Sequence, residues 1–193
     1  GQGELPETVL TVGIEKIVER RIDHLPAEFQ PWLEFAATLG RKLDLPALEQ
    51  AFPSIPLRSF LIECANAAVL ETQSSDWRFA HNKLRETILR RIAPEHQKRL
   101  HREVGEALEV VHSRDQRNDL SATLAHHFEQ AGVVPKALRY YLQAGDIAAK
   151  LYLYEEARSH YSAAEKIINQ LPDTIENRRL NADILLKLIN YSL

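Results

Sequence analysis

The chain has 193 residues, 45% of them hydrophobic and 26% charged, with only seven glycines and nine prolines. This composition is typical of a globular protein and excludes collagen-like, low-complexity and disordered classes. The 24 basic and 27 acidic residues give a net charge of -3, so we expect no direct binding of the whole chain to nucleic acid. No stretch approaches the roughly 18 apolar residues of a membrane helix, so we expect no membrane partner.

Helical periodicity dominates residues 1–68. A first amphipathic helix, which serves as a connector over residues 1–25, places its apolar side chains at spacings of three and four: Leu10, Ile14, Ile17, Val18, Ile22 and Leu25. Proline and glycine signals then delimit three further helices, over residues 26–40, 44–52 and 56–68.

A short hairpin follows these helices. The β-favouring runs 69–72 and 77–79 flank the turn-forming residues 73–76, and helical periodicity resumes directly afterwards. Three helices, a hairpin and a closing helix predict a winged-helix module over residues 26–93.

Residues 94–193 are predicted to be helical throughout, with the polar stretch 113–119 as a flexible joint. Small and aromatic residues recur there in the register of tetratricopeptide repeats, which use them where paired helices touch. The first set is Leu124, Ala125, Phe128, Ala137, Tyr141 and Ala144. The second, shifted by 20 residues, is Gly145, Ala157, Tyr161 and Ala164. We therefore predict a mainly α protein in which the winged helix precedes an irregular, incomplete tetratricopeptide-like α-solenoid.

Catalytic motifs are missing from the sequence. It contains neither G-x-G-x-x-G nor G-x-x-x-x-G-K-[ST], no H-E-x-x-H and no paired cysteines at zinc spacing. The single cysteine, Cys64, follows Phe60 and Leu61 in an apolar helical pattern, so we expect a packed thiol rather than a nucleophile. We predict neither an enzyme activity nor a metal site for this chain, and one unpaired cysteine favours a reducing, cytoplasmic location.

The charges of the predicted winged helix disfavour DNA recognition. Residues 26–93 carry eight basic and eight acidic side chains, and the helix that would enter the major groove carries only Arg58 and Glu63. A DNA reader neutralises several phosphates with Lys and Arg. We therefore expect an adaptor that contacts protein, with a DNA-binding regulator as the alternative and a stand-alone helical enzyme as a third, disfavoured one.

One stretch is strongly basic, and its cations are Lys83, Arg85, Arg90, Arg91, Lys98, Arg99 and Arg102. It forms either a solvated helix face or a docking surface for an acidic partner or a nucleotide phosphate.

Several segments, taken in order, resemble the signal-transduction ATPases with numerous domains, the STAND regulators, and their bacterial maltose-activator-like members in particular. The segments 5–9 and 21–26 are similar to the end of the nucleotide-binding module. The segment 77–88 contains the F-x-H-x-x-L-R-E pattern that closes the winged helix. Similarity to the junction with the helical sensor arm extends over residues 99–109, 124–132 and 136–141.

This resemblance implies a relay between a helical arm and an ATP-binding core. The core, with its ATP or ADP, lies outside this sequence, which holds no cofactor itself; the winged helix contacts the core within the same polypeptide, and the arm receives a protein or small-molecule inducer. In eukaryotic relatives a Met-His-Asp histidine contacts ADP, and Ala80-His81-Asn82 occupies that place. Considered locally, His81 also stands where an imidazole caps a helix, so both roles stay open.

Two further expectations concern the predicted arm. His126 and His127 are adjacent on a helix, so one should pack and the other be solvated. The last helix carries Leu180, Ile184 and Leu188 at intervals of four, with Leu185 and Ile189 beside them. A homodimer through this face is expected. The sequence begins Gly1-Gln2-Gly3 and has no methionine, which indicates a piece of a longer protein whose effector domain is unknown.

Overall fold

The computed structural model describes residues 16–113 and 120–190. The described residues are mainly helical and include a two-stranded antiparallel hairpin, so the predicted mainly α class is confirmed. The chain divides into two compact units, Gly1–Ala107 and Leu108–Leu193, and the division falls inside a long helix. The predicted domain boundaries, between residues 25 and 26 and between residues 93 and 94, stay predictions.

The first unit contains short helices and the hairpin. Its helices are α1 (residues 16–23), a 3-10 helix (Ala27–Phe29), α2 (Gln30–Leu39), α3 (Leu45–Ala51), α4 (Leu57–Asn66) and α5 (Asn82–Arg91). Asp44 caps α3, because its Oδ1 accepts a hydrogen bond of 2.9 Å from the backbone N–H of Ala47.

The apolar stripe predicted for the first helix is only partly correct. Leu10 and Ile14 lie outside the described residues. Val18 is buried, whereas Ile17 is exposed. Consecutive residues on a helix point about 100° apart, and α1 turns Val18 inward and Ile17 toward solvent.

The hairpin joins β1 (Leu70–Gln73) to β2 (Asp76–Phe79). Ser74 and Ser75 form its two-residue turn with φ of 50° and 77°, the left-handed pair that suits the twist of a tight hairpin. The extended segment 41–43 runs along β2: Leu43 N–H donates to the Trp77 carbonyl at 2.8 Å, and Phe79 N–H donates to the Arg41 carbonyl at 3.0 Å. The hairpin is thereby held against the loop between α2 and α3.

Aromatic rings form the centre of the first unit. The Phe60 ring lies 5.4 Å from that of Phe29 and 5.7 Å from that of Trp32, both in edge-on contact. Phe35 contacts Phe52 in the same way at 5.4 Å. These contacts bring the 3-10 helix, α2, α3 and α4 into one core.

The second unit is built from longer helices. They follow α6 (Pro94–His112) and are α7 (Ser121–Gln130), α8 (Val134–Lys150), α9 (Tyr154–Ile168) and α10 (Ile175–Asn190). All four lie within residues 94–193, which the sequence predicted to be helical. Of the predicted joint, residues 114–119 lie outside the described part of the chain.

Small residues let α7, α8 and α9 approach closely. Ala125, Ala137, Ala157 and Ala164 are fully buried, all at positions that the small-and-aromatic pattern selected. Gly145 on α8 lies directly against the ring of Tyr161 on α9, and a Cβ at this position would come within 2.5 Å of the ring carbon Cε1.

Candidate functional site

His81 precedes α5 in extended conformation, with φ of -139° and ψ of 142°. Its carbonyl accepts from Leu84 N–H at 3.1 Å, but its side chain makes no capping hydrogen bond. The imidazole is exposed. The capping role that the sequence left open therefore finds no support in this geometry, and the side chain is accessible to a ligand or partner.

Two cations of the basic stretch, Arg85 and Arg91, join α5 to other helices of the first unit. Arg85 donates through Nε to the Ala37 carbonyl at 2.7 Å, which ties α5 to α2. Arg91 pairs with Asp23 on α1 at 2.6 Å. Further along, Lys98 pairs with Glu95 at 3.0 Å. The structure thus gives these side chains partners within the chain, as in a structural helix face.

A cleft of about 220 Å³ lies beside the Arg91–Asp23 pair. Leu25, Leu33 and Ile88 contribute apolar walls to it, and Glu34 contributes a carboxylate. The side chain of Glu34 is only 13% exposed and accepts from His96 Nε2 at 2.9 Å and from Gln30 Nε2 at 3.0 Å. This carboxylate is already occupied by partners on α2 and α6.

The Glu34–His96 pair is one feature that sequence reasoning missed. Arg99 donates to His96 Nδ1 at 3.2 Å, so the proton of the neutral ring is on Nε2 and is shared with Glu34. The two partners are separated by 62 positions in the chain, and no local pattern marks them.

The outward face of α4 and the hairpin carry balanced charge. Lys42 pairs with Asp76 at 2.7 Å, and Arg78 pairs with Glu71 at 2.6 Å. On α4 the exposed residues include Arg58 and Glu63, as predicted, together with Ile62. A surface of this kind presents few uncompensated cations to a phosphate backbone.

Cys64 is fully buried, as predicted. Burial, with a smaller contribution from the neighbouring Glu63 carboxylate, raises the pKa of its thiol to about 12. Because the thiolate is the nucleophile, this side chain is inert in the folded state.

A carboxylate near the end of α6 joins that helix to α8. Glu109 accepts from Lys136 Nζ at 2.5 Å, from Arg139 at 3.0 Å and from the Tyr140 hydroxyl at 2.5 Å. Burial works to raise the pKa of this carboxyl, but the hydrogen bonds from Lys136 and Tyr140 outweigh it, so the pKa lies below its usual range. Burial and the Glu109 carboxylate raise the pKa of Tyr140 to about 12.

A second carboxylate joins α8, α9 and α10. Asp146 accepts from the Tyr161 hydroxyl at 2.7 Å and pairs with Lys187 of α10. Burial opposes ionisation here too, yet Lys187 and Tyr161 lower the pKa of Asp146 below its usual range. In both places a carboxylate accepts from a lysine and a tyrosine that lie on other helices.

The two histidines on α7 separate as predicted. His127 is buried and His126 is exposed, since neighbouring helix positions face different ways.

The turns before α8 and α9 have the same backbone geometry. Val133 (φ -89°, ψ 71°) and Leu153 (φ -88°, ψ 70°) stand at equivalent points, and each N–H bonds the carbonyl five residues earlier, at 2.8 and 2.9 Å. The left-handed position just before them is Gly132 in one turn (φ 71°) and Tyr152 in the other (φ 62°). Glycine adopts this conformation freely, whereas tyrosine does so at a cost of about 1–2 kcal/mol.

The Tyr152 turn also carries several exposed apolar side chains. Tyr152 is 77% exposed, and Leu151, Leu153 and Tyr154 beside it are exposed as well. We call residues 151–154 the apolar turn. Clustered apolar side chains that stay exposed to water beside a strained backbone position are typical of interaction sites.

The described ranges contain no group of three or more His, Cys, Asp or Glu side chains arranged to hold a metal ion. In the same ranges, every helix is too short or too polar to cross a membrane. Comparison of the chain with protein-family models, with curated proteins and with solved structures produced no match.

Proposed function

We propose that the chain is a non-catalytic regulatory and protein-interaction piece of a multidomain signalling ATPase, in which a helical sensor arm acts on a nucleotide-binding core. The apolar turn, residues 151–154, is the observation that carries this proposal. Its exposed apolar side chains support a binding surface for an inducer or partner on the arm.

The first unit supports the winged-helix part of the proposal. Its order is helix, short extended segment, two helices, hairpin and closing helix, and the segment 41–43 pairs along β2 as the third strand of a winged helix does. Its outward helix α4 presents Ile62 between Arg58 and Glu63, which suits contact with protein rather than with DNA.

The second unit supports a tetratricopeptide-like arm. Equivalent turns recur at Gly132 and Tyr152, and buried alanines lie between the closely packed helices. Repeated helix pairs of this kind form extended surfaces that bind partners. A tyrosine at the strained turn position is explained by recognition, because tyrosine supplies rigid contact area at low entropic cost.

The resemblance of Ala80-His81-Asn82 to the ADP-contacting motif gives the proposal its sharpest test. In a protein that joins this chain to its ATPase core, His81→Ala should accelerate ADP release by about tenfold, the value of one hydrogen bond to a charged group. Stopped-flow release of a fluorescent ADP analogue measures this, with Glu86→Ala on the same helix as control.

The same substitution in the isolated chain should leave the melting temperature almost unchanged, because the His81 side chain is exposed and caps nothing. A loss of several degrees there, with ADP release unaltered, would mean that His81 is structural and that the proposed contact with nucleotide is wrong.

The alternative function is a DNA-binding winged-helix regulator. We expect the chain not to bind duplex DNA at sub-micromolar concentration in physiological salt, because Lys42 beside the hairpin and Arg78 in it are paired with Asp76 and Glu71. A fluorescence anisotropy titration at several salt concentrations measures this. Tight binding that weakens steeply with salt would favour the alternative and count against the adaptor.

A further inference from the structure

The cleft beside the Arg91–Asp23 pair lies where three helices of the first unit meet. Its walls come from α1 and the loop after it, from α2 and from α5, and its apolar lining includes Ile22, Leu33 and Ile88. Its volume is about 220 Å³. Pockets that take drug-sized ligands measure roughly 300–1,000 Å³, so this one has room for a smaller molecule. We call it the α1–α2–α5 cleft.

The polar side chains of the α1–α2–α5 cleft offer oxygen acceptors to a ligand. Glu34 accepts from Gln30 at Oε1 and from His96 at Oε2, one donor for each oxygen. A carboxylate has about four lone-pair sites, so two of them remain. Within the described residues, Asp23 uses only Oδ1, for Arg91, and Gln30 uses only its amide Nε2. Asp23 Oδ2 and Gln30 Oε1 are therefore acceptors as well.

The charges around the cleft favour a cationic ligand. Among the described residues that line it, Arg91 is the one cation, and Asp23 pairs with it at 2.6 Å. The partners of Glu34 are an amide and a neutral imidazole, and Arg99 lies beyond that imidazole, on its opposite nitrogen. Because a largely buried carboxylate is normally paired with a cation, Glu34 gives the cleft an acidic group that a cationic ligand can neutralise.

We propose that the α1–α2–α5 cleft binds a small primary amine with an apolar body. An ammonium group has three N–H donors and no acceptor, which matches the free oxygen sites of Glu34, Asp23 and Gln30. The apolar body lies against Leu33 of α2 and Ile88 of α5. The inference stands apart from the proposed function, because the cleft lies in the first unit and the apolar turn lies in the second.

Phenethylamine is the probe for this site, and two relatives of closely similar size separate the effect of charge from that of shape. Phenethyl alcohol replaces the ammonium group by a neutral hydroxyl, and phenylacetate replaces it by a carboxylate. Nuclear magnetic resonance titration of the isotope-labelled chain at about pH 7.5, where an imidazole is ordinarily neutral, measures the three dissociation constants. The backbone amide signals of Leu33 and Ile88 report on the cleft.

The amine should bind most tightly of the three. We expect a dissociation constant of about 1 mM, which is ordinary for so small a ligand. Phenethyl alcohol should bind at least about tenfold more weakly, the value of one hydrogen bond to a charged group. Phenylacetate should not bind, because its charge has the same sign as that of Glu34.

Three variants locate the bound amine. Glu34→Gln keeps the shape of the side chain but removes its charge, so phenethylamine should bind at least about tenfold more weakly. Ala27→Phe fills the cleft from an exposed position of its wall and leaves Glu34 in place, so it should abolish binding. Glu49→Gln is the matched control, since Glu49 is exposed on α3 outside the cleft, and binding should be unchanged. Circular dichroism checks that each variant keeps its helix content.

Four results would overturn the proposal. A lack of saturable shifts at about 20 mM phenethylamine, well above the expected dissociation constant, excludes an amine site. Equal binding of the amine and the alcohol shows that the carboxylate takes no part. Tighter binding of phenylacetate assigns the cleft to an anion at Arg91. Amine binding that survives Ala27→Phe places the ligand elsewhere on the chain.

Discussion

Replacing Phe60 by alanine is expected to destabilise the first unit by about 3–5 kcal/mol, the usual cost of removing a fully buried phenylalanine. Its ring lies edge-on to Phe29 and Trp32, so the substitution opens a cavity where three elements meet. Urea unfolding followed by far-ultraviolet circular dichroism measures the change.

A neighbouring variant separates packing from surface effects. Ile62 lies on the same helix but is 45% exposed, so Ile62→Ala should change the free energy of unfolding by no more than about 0.5 kcal/mol. If the two variants had equal effects, α4 would not bury the face described for it.

Gly145→Ala should destabilise the second unit by about 1–3 kcal/mol, the cost of overfilling a packed interior. The new methyl would lie 2.5–2.9 Å from three ring carbons of Tyr161. That ring is buried and held by the bond from its hydroxyl to Asp146, so it cannot swing aside. In an open helix the same substitution would stabilise by up to about 1 kcal/mol, so the sign of the change is decisive.

A double-mutant cycle assigns that cost to the ring. In a Tyr161→Leu background the added methyl meets a smaller side chain, so Gly145→Ala should lose most of its effect. The free energies of unfolding of all four proteins, from thermal and urea melts, give the coupling. An unchanged cost in the Tyr161→Leu background, with the starting fold intact, would show that the tyrosine ring is not the obstacle.

Local signals account for what the sequence predicted well. Asp44 and Pro46 mark the start of α3, and Gly40 ends α2 with φ of 149°. The paired serines predict the tight hairpin. The repeated small and aromatic register selected both Gly145 and Tyr161 before any contact between them was known. Each of these features depends on residues close in the chain or on a repeated spacing.

Features that join distant segments were beyond the reach of such signals. Arg85 donates a hydrogen bond to the backbone carbonyl of Ala37, 48 residues away, and no local sequence pattern marks either residue. Ile184, which the sequence assigned to an open face, is fully buried; α10 carries apolar residues on two opposite sides, so its periodicity does not say which side meets α9. Tyr152 was missed since tyrosine is a poor choice for a left-handed turn, and only the matching turn at Gly132 exposes the exception.

Alkylation of the buried Cys64 can measure how often the first unit opens locally. The chain has one cysteine, and in the folded state the high pKa of its thiol and its burial exclude a thiol reagent. Alkylation can then proceed only through molecules in which α4 has come away from the core. When α4 closes again faster than the open form is alkylated, the labelling rate of the folded chain divided by that of the unfolded chain equals the population of the open form. Mass spectrometry of the labelled chain then gives the free energy of local opening without denaturant.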